Sequence, residues 1–242
     1  MSIQKAAALG VCFVLVGCGH YPAPLRTARD IRHTDSSETM VVIVGLPLKE
    51  WPKLGKFTTL RSLRIAEETA YQVGDEHIKA LCALKLSQLS DISFAYCTNV
   101  TDAGIEALTE MPSIKGLQLI NVGITDQGMR ILAKRFPKLE GINVEGCQKL
   151  TTVGFLSLTN SMTMTDVGLS LDPFSQPEIE CIVSAVTNVT WWSIHDPQHH
   201  LERSSLLKLG GSRGLTIQVS DENHYVTTIT LAGKDISMRK AR

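Results

Sequence analysis

The chain has 242 residues, and its 24 Lys and Arg balance 24 Asp and Glu, so its formal net charge is zero. That balance provides no global field to attract a polyanion, which argues against a nucleic-acid-binding protein. Apolar residues make up 43% of the sequence, enough for a folded core, while aromatic residues are only 5%, so we expect an aliphatic core. The 6 cysteines form no CxxC pairs, which argues against a zinc ribbon.

Residues 1–17 have the pattern of a secretory signal peptide. Lys5 precedes an apolar run over 6–16 that is too short to span a bilayer. The run ends in the letters LVGC, which finish at Cys18 and resemble the lipobox of bacterial lipoproteins. The resemblance implies cleavage before Cys18 and acylation of its thiol and new amine, and several acyl chains give stable anchoring. The alternatives are an ordinary cleaved signal with an accidental cysteine, or a buried N-terminal helix.

The next segment, residues 18–38, is predicted to be a lipid anchor followed by a flexible tether. Two prolines and scattered charges interrupt it, and no apolar period is sustained. Gly19 follows the cysteine, where an aspartate often retains lipoproteins in the inner membrane. The resemblance therefore implies a bacterial cell-envelope protein outside the cytoplasm, held on the outer membrane or cell surface rather than on the inner membrane.

Residues 39–242 are predicted to form one repeat domain. Apolar residues recur every 25 residues in the pattern L-x-x-L-x-L, and the last two positions lie two apart, as on one face of a strand. The two strand columns are Ile92, Leu117, Ile142, Val167, Trp192 and Ile217, and, two residues later, Phe94, Leu119, Val144, Leu169, Ile194 and Val219.

The second half of each unit is predicted to be a helix. Around Gly104 and Gly128 apolar residues lie three apart, as on one side of a helix. Thr101 and Thr125 come just before these stretches and can cap the free N–H groups at a helix start. No unit of this kind can bury its apolar face alone, so neighbouring units must stack.

These residues resemble the leucine-rich repeats, and in particular the cysteine-containing subtype L-x-L-x-x-C-x-x-[IL]-T-D-x-G-[IL]-x-x-L. Cys97 and Cys147 occupy its Cys position. The resemblance implies an α/β solenoid, a horseshoe with a parallel sheet on the concave face and helices on the convex face. It implies about seven repeats, with residues 40–60 and 220–242 as caps.

The cysteines left after removal of a signal are predicted to be unpaired and mostly buried. Cys97 and Cys147 lie two repeats apart, about 10 Å, which exceeds the ~7 Å limit between the Cα atoms of a disulfide. Cys82 and Cys181 fall in helical halves four repeats apart. We expect all four thiols to act as small hydrophobic groups.

The variable strand positions are predicted to line the concave face and to bind a partner. Small and amide side chains dominate there, and exposed Trp and Tyr are the residue types that most often carry binding energy. The alternative is that the tryptophan packs against a cap and the face binds nothing. The candidate residues are Asp91, Ser93, Tyr96, Gln118, Ile120, Asn143, Glu145, Trp191, Ser193 and His195.

A metal or catalytic site is the weaker interpretation. Three imidazoles and a carboxylate lie between His195 and His200, but Pro197 interrupts any helix there and no ligand-spacing template is satisfied. The sequence has no GxSxG, HExxH or P-loop motif. We therefore expect no enzyme activity, no bound metal and no cofactor.

The leading hypothesis is a monomeric, membrane-anchored module for protein–protein interaction, with an unidentified protein partner and no nucleic acid. The first alternative is a passive envelope scaffold or spacer without a specific ligand. The second alternative is an enzyme or metal site around residues 195–200.

Overall fold

The computed structural model describes residues 24–198, 200–202, 215–221, 226–232 and 235–241. An open sheet of 11 strands runs through them in the order of the sequence. Strands β1 to β9 are parallel, and β9, β10 and β11 are antiparallel neighbours. The strands are β1 (Pro24–Leu25), β2 (Met40–Ile43), β3 (Ser62–Ile65), β4 (Asp91–Ser93), β5 (Gly116–Gln118), β6 (Gly141–Asn143), β7 (Asp166–Ser170), β8 (Trp191–His195), β9 (Leu215–Ser220), β10 (Val226–Ala232) and β11 (Asp235–Ala241).

Helical segments connect the parallel strands from β1 to β8, and consecutive helices from α2 to α6 contact one another as a second layer. The connection from β2 to β3 contains 3-10 helix instead, at Leu48–Lys56. Further 3-10 segments precede α2, at Glu67–Gln72, and follow α5, at Ser157–Asn160. The α-helices are α1 (Ala28–His33), α2 (Asp75–Cys82), α3 (Asp102–Leu108), α4 (Asp126–Arg135), α5 (Thr152–Leu156) and α6 (Gln176–Ala185).

The 25-residue apolar columns become the core between the two layers. Ile92, Leu117, Ile142, Val167, Trp192 and Ile217 pair strand to strand in one continuous register. All six side chains are buried, and with the second column and the inward residues of the helices they form a single apolar cluster. The prediction that these positions share one face of parallel strands is confirmed.

A ladder of carboxylates joins neighbouring helices. Asp102, the first residue of α3, accepts hydrogen bonds from the backbone N–H and the hydroxyl of Thr125, at 2.9 and 2.6 Å. Thr125 in turn caps α4 by accepting from the N–H of Gln127. This pair of hydrogen bonds therefore fixes the start of one helix to the start of the next. The same pair of bonds joins Asp75 to Thr101 and Asp126 to Thr151.

Glycine in the third position of these helices makes room for the ladder. A Cβ on Gly128 would lie 2.5 Å from Oδ1 of Asp102, closer than any real Cβ contact. Gly104 stands in the same relation to Asp75, at 2.5 Å. The T-D-x-G pattern at 101–104 and 125–128 therefore encodes a contact between repeats as well as a helix cap.

The N-terminal boundary of the folded part differs from the prediction. Residues 24–38 fall within the segment predicted to be a flexible tether, yet β1 pairs with β2 and α1 has a capping box. Leu25 and Ile31 are buried in the core, and Nζ of Lys56 donates to the carbonyl oxygens of Ile31 and Thr34, both at 2.7 Å. The parallel sheet therefore begins at Pro24, before the cap predicted at 40–60. Residues 1–17, Cys18 and the tether up to residue 23 lie outside the described residues.

At the other end the parallel pattern changes. β9 continues the register of β8, and β10 then pairs with it antiparallel over Val226–Leu231. Most of the segment predicted as a C-terminal cap, 220–242, is therefore a hairpin of β10 and β11 added to the end of the sheet. The fold is α/β, with nine parallel strands in an open sheet and a layer of helices, and it is compatible with a repeat solenoid. Within the described ranges, no helix has the length and apolarity that crossing a membrane requires.

Candidate functional site

The face of the sheet that lacks helices carries the variable strand positions in two rows, which we call the open sheet face. The rows follow directly from the strand register, because side chains alternate between the two faces of each strand. The first row is Ser62, Asp91, Gly116, Gly141, Asp166, Trp191 and Thr216, and the second is Arg64, Ser93, Gln118, Asn143, Gly168, Ser193 and Gln218.

The structure places the ten predicted binding residues along this face and its loop edge, but at very different depths. Tyr96 is exposed, whereas Asp91, Gln118, Trp191 and His195 are half-buried. The other five are buried, so their side chains offer little surface to a partner, which corrects the expectation that the whole set is available for binding. These five are Ser93, Ile120, Asn143, Glu145 and Ser193.

Close packing between small residues causes this burial. A Cβ on Gly168 would lie 2.7 Å from the amide carbon of Asn143, so the absence of a side chain at 168 lets that amide lie flat against β7. Asn143 is 0% exposed, accepts from the backbone N–H of Glu145 at 2.9 Å and donates to its Oε1 at 3.0 Å. The amide is therefore part of the fold and is not a free hydrogen-bonding group.

Glu145 is a buried carboxyl just beyond the end of β6. It is 5% exposed, and Asn143 is its only hydrogen-bond partner among the described side chains. Burial raises the pKa of Glu145 to about 7, although the Asn143 amide favours the charged form and acts in the opposite direction. At neutral pH this carboxyl is therefore poised between its charged and neutral forms.

A row of left-handed residues follows the strands. Tyr96, Asn121 and Gly146 have φ of 64°, 54° and 68°. The backbone N–H of Tyr96 donates to the carbonyl of Ile120, and that of Asn121 donates to the carbonyl of Glu145. These bonds continue the pairing of the strands into the loops that follow them. A bulky side chain at positive φ costs free energy and is uncommon outside functional sites. Tyr96 is therefore the unusual member of the row.

Tyr96 projects from this row beside acidic groups. It is 38% exposed, and partial burial together with the negative charges of Glu67 and Glu145 raises the pKa of its phenol. In the register of β3 and β4, Arg64 pairs with Ser93. Extending that register by three residues places Glu67 beside Tyr96, one strand away. We call the three residues Glu67, Tyr96 and Glu145 the acidic tyrosine cluster.

A second exposed tyrosine lies four residues after Glu67. Tyr71 is 61% exposed on the same 3-10 segment as Glu67, and the amide of Asn99 donates to its carbonyl oxygen at 2.7 Å. Sequence reasoning missed Glu67 and Tyr71, because that 29-residue unit departs from the 25-residue period. Extending the strand register into the loops would have found Glu67.

Other polar groups of the open sheet face are already engaged. Nδ1 of His195 lies 3.3 Å from Oγ of Ser220, and the carboxylate of Asp196 accepts from the backbone N–H groups of His200 and Leu201. Asp196 therefore caps its own loop. His199 lies outside the described residues. In the part of the chain that the structure describes, no group of three or more His, Cys, Asp or Glu side chains is arranged to hold a metal ion.

The four cysteines of the described part are unpaired, as predicted. Cys82, Cys97 and Cys147 are buried, and burial raises their pKa to about 11, about 12 and about 12. Cys181 differs from the prediction, because it is exposed on α6. It occupies a position on the outer side of the helix, away from Ile179 and Ile182, which are buried.

We expect a thiol-alkylating reagent to label Cys181 first in the native protein. The thiolate is the reactive form, and burial suppresses it at the other three positions. Mass spectrometry of peptides after limited treatment with iodoacetamide at pH 8 measures the order of labelling. A Cys181→Ser variant is the control and should lose the rapid phase. Equally fast labelling of Cys97 or Cys147 would contradict the described burial.

No protein-family model matches this chain. Among solved structures it is similar to the crystal structure of the Rad7 and Elc1 complex in yeast, over 81% of this chain and 80% of that chain, at 11% identity and a TM-score of 0.33. A similarity at that TM-score does not support a fold assignment. The description of the fold therefore depends only on the strand register and helix contacts given above.

Proposed function

We propose that this chain is a lipoprotein of the bacterial envelope whose leucine-rich repeat solenoid recognises a protein partner. The observation that carries the recognition role is the exposed ring of Tyr96, beside the exposed Glu67, at the loop edge of a parallel sheet. Tyrosine supplies a large contact area at low entropic cost, and it is enriched among the residues that dominate interfaces. The backbone bond from Tyr96 to Ile120 fixes the backbone at this position before any partner arrives, which lowers the entropic cost of binding.

The anchor in this proposal rests on the sequence, with Cys18 as the acylated residue. The first described strand begins at Pro24, six residues later, and six residues cannot span more than about 20 Å. A lipidated Cys18 would therefore keep the first strand close to the membrane surface. This link has far less reach than a tether to residue 38 would give.

The anchor is tested by metabolic labelling with radioactive palmitate. We expect the full chain expressed in a bacterium to incorporate label and fractionate with membranes, and a Cys18→Ser variant to do neither. Cys12→Ser is the matched control, because Cys12 lies in the same apolar run and should not affect labelling. Label retained in the Cys18→Ser variant would exclude the lipoprotein assignment.

Recognition is tested by affinity capture with the full chain, tagged at its C-terminus and solubilised in nonionic detergent. A Tyr96→Asn variant is the comparison, since Asn tolerates positive φ and removes only the ring. We expect at least one specific protein to be captured by the wild type and to be depleted with the variant. If wild type and variant capture identical sets, the passive spacer is the better description.

A further inference from the structure

Basic residues are concentrated at the N-terminal end of the sheet. Residues 24–64 contain eight Lys or Arg and four Asp or Glu, although the whole chain is neutral. Residues 65–114, which follow them, contain two Lys or Arg and eight Asp or Glu. The charge of the chain is therefore balanced only overall, and these two neighbouring parts have net charges of opposite sign.

Two helical segments hold most of these basic residues side by side. Helix α1 contacts the 3-10 helix at Leu48–Lys56. Nζ of Lys56 joins the two segments by donating to the carbonyl oxygens of Ile31 and Thr34, at the end of α1. The charges of α1 and those of the 3-10 helix therefore occupy one region of the protein surface.

Glu50 lies within this region, and several cations surround it. The hydrogen bond from Lys53 lowers the pKa of its carboxyl, and the positive charges of Lys53, Lys49 and Arg32 lower that pKa further. One carboxylate cannot balance three cations, so the group keeps a net positive charge. We call four exposed residues of this region, Arg29, Arg32, Lys49 and Lys53, the basic end surface.

Most cations of the basic end surface have no carboxylate bound to them. Within the described ranges, no ion pair involves Arg29, Arg32 or Lys49. Leu48, beside Lys49, is 40% exposed, and Pro47 before it is exposed too. Cations next to exposed apolar groups suit the headgroup region of a bilayer, because its phosphates attract the charges and its acyl chains begin just below.

The covalent link of the proposed lipoprotein brings the same end of the sheet to the bilayer. The link from Cys18 to Pro24 spans no more than about 20 Å, and α1 begins four residues after Pro24. The last strand, β11, lies ten strand spacings from β1, about 50 Å along the sheet. The acyl chains therefore hold the basic end close to the lipid and leave the other end far from it.

We propose that the basic end surface binds the anionic phospholipid headgroups of the bilayer that holds the anchor, so that the N-terminal end of the sheet faces the membrane. This inference rests on the proposed lipoprotein function and adds a second membrane contact to the acyl chains. Such attraction fades within a Debye length, about 8 Å at physiological salt, so it acts on the end that is held close. The acidic tyrosine cluster takes Glu67 and Tyr96 from the acidic stretch 65–114, which an anionic surface repels, so that edge stays open to a protein partner.

The direct test compares lysine reactivity on neutral and anionic vesicles. The full chain, purified in detergent, is added to preformed vesicles of phosphatidylcholine alone or of equal parts phosphatidylcholine and phosphatidylglycerol, and is briefly acetylated with acetic anhydride. Mass spectrometry then gives the rate at each lysine. We expect Lys49 and Lys53 to react at least ~3-fold more slowly on the anionic vesicles, and high salt to remove this protection. Lys134 and Lys138 are exposed in α4 and after it, and as internal controls they should react equally on both.

Variants then locate the contact. Arg29→Gln combined with Arg32→Gln should remove most of the protection of the two lysines, whereas Arg130→Gln combined with Lys149→Gln, the same charge change at exposed residues elsewhere, should leave it unchanged. Lys56, whose Nζ is bonded to α1, should react slowly in both double variants, which checks that α1 stays in place. Equal loss of protection in the two double variants would mean that only net charge matters, which overturns the inference.

Palmitate labelling separates this inference from the function on which it rests. If Cys18 is labelled and the lysine rates are the same on both kinds of vesicle, the anchor is supported and the lipid contact is excluded, which leaves the exposed cations to an acidic protein partner. If no label depends on Cys18, the lipoprotein proposal fails, and the lysine rates still decide whether this surface binds anionic lipid. Label at Cys18 together with protection on anionic vesicles alone supports both.

Discussion

Glu145→Gln is expected to raise the free energy of unfolding at pH 8 by about 3 kcal/mol. The folded protein holds the pKa of this carboxyl at about 7, against 4.5 ordinarily, because the side chain is buried without a counter-charge. A separation of that size corresponds to roughly 3 kcal/mol between the two protonation states. Glutamine has nearly the same shape and carries no charge to desolvate, so it avoids this cost.

The pH dependence gives the sharper measurement. Because the pKa is raised on folding, the folded state binds this proton more tightly, and the contribution of Glu145 to stability is complete below about pH 4.5. It is lost as the pH rises towards 7 and beyond. Urea unfolding at a series of pH values, followed by tryptophan fluorescence, should show the difference between variant and wild type growing from pH 5 to pH 8.

Glu140→Gln is the matched control for that series. Glu140 is exposed and pairs with Lys115 at 2.6 Å, so its neutralisation should change stability by no more than about 1 kcal/mol and should not reproduce the pH dependence. Parallel pH curves for wild type and Glu145→Gln would show that the carboxyl is solvated, contrary to its burial.

Gly128→Ala is expected to destabilise the protein by about 3 kcal/mol. Its new Cβ would occupy space 2.5 Å from Oδ1 of Asp102, so the carboxylate must withdraw from Thr125 and lose two charge-assisted hydrogen bonds. Alanine has the higher intrinsic helix propensity, so propensity alone predicts the opposite sign. Thermal or urea unfolding decides between the two.

Two controls make this prediction specific. Gly55→Ala meets only Cδ2 of Leu84, at 3.7 Å, and should cost less than about 1 kcal/mol. In a double-mutant cycle, Gly128→Ala should cost much less once Asp102→Ser has removed the long carboxylate, because the two residues share one contact. Additive effects of the two substitutions would contradict the proposed steric cause.

Local and periodic features of this protein could be predicted from the amino-acid sequence alone. Ile92 and Phe94 lie two apart and recur every 25 residues, so a strand with one buried face was predictable, and Thr101 before an apolar i, i+3 pattern was predictable as a helix cap. These features depend on backbone geometry and on contacts between equivalent positions. The resulting parallel register and caps agree with the structure.

The short N-terminal elements could not be predicted in this way. β1 has two residues and α1 has six, too few for either to show a period. Their order comes from partners distant in sequence, chiefly the buried contacts of Leu25 and the bonds from Lys56 to the end of α1. Isolated elements of this length are marginal in water, so tertiary contacts determine whether they form.

The sequence by itself determined which face of the sheet each candidate residue occupies, and the tertiary structure decided how deep it lies. Alternation along a strand sets direction, so Asn143 and Glu145 were placed at the variable surface, whereas Tyr96 falls in the loop that follows β4. Depth depends on the size of neighbours one repeat away: the missing side chain at Gly168 buries Asn143, while Tyr96 stays exposed in its left-handed loop. The pKa of Glu145 also depends on the tertiary structure, because burial among the surrounding strands raises it.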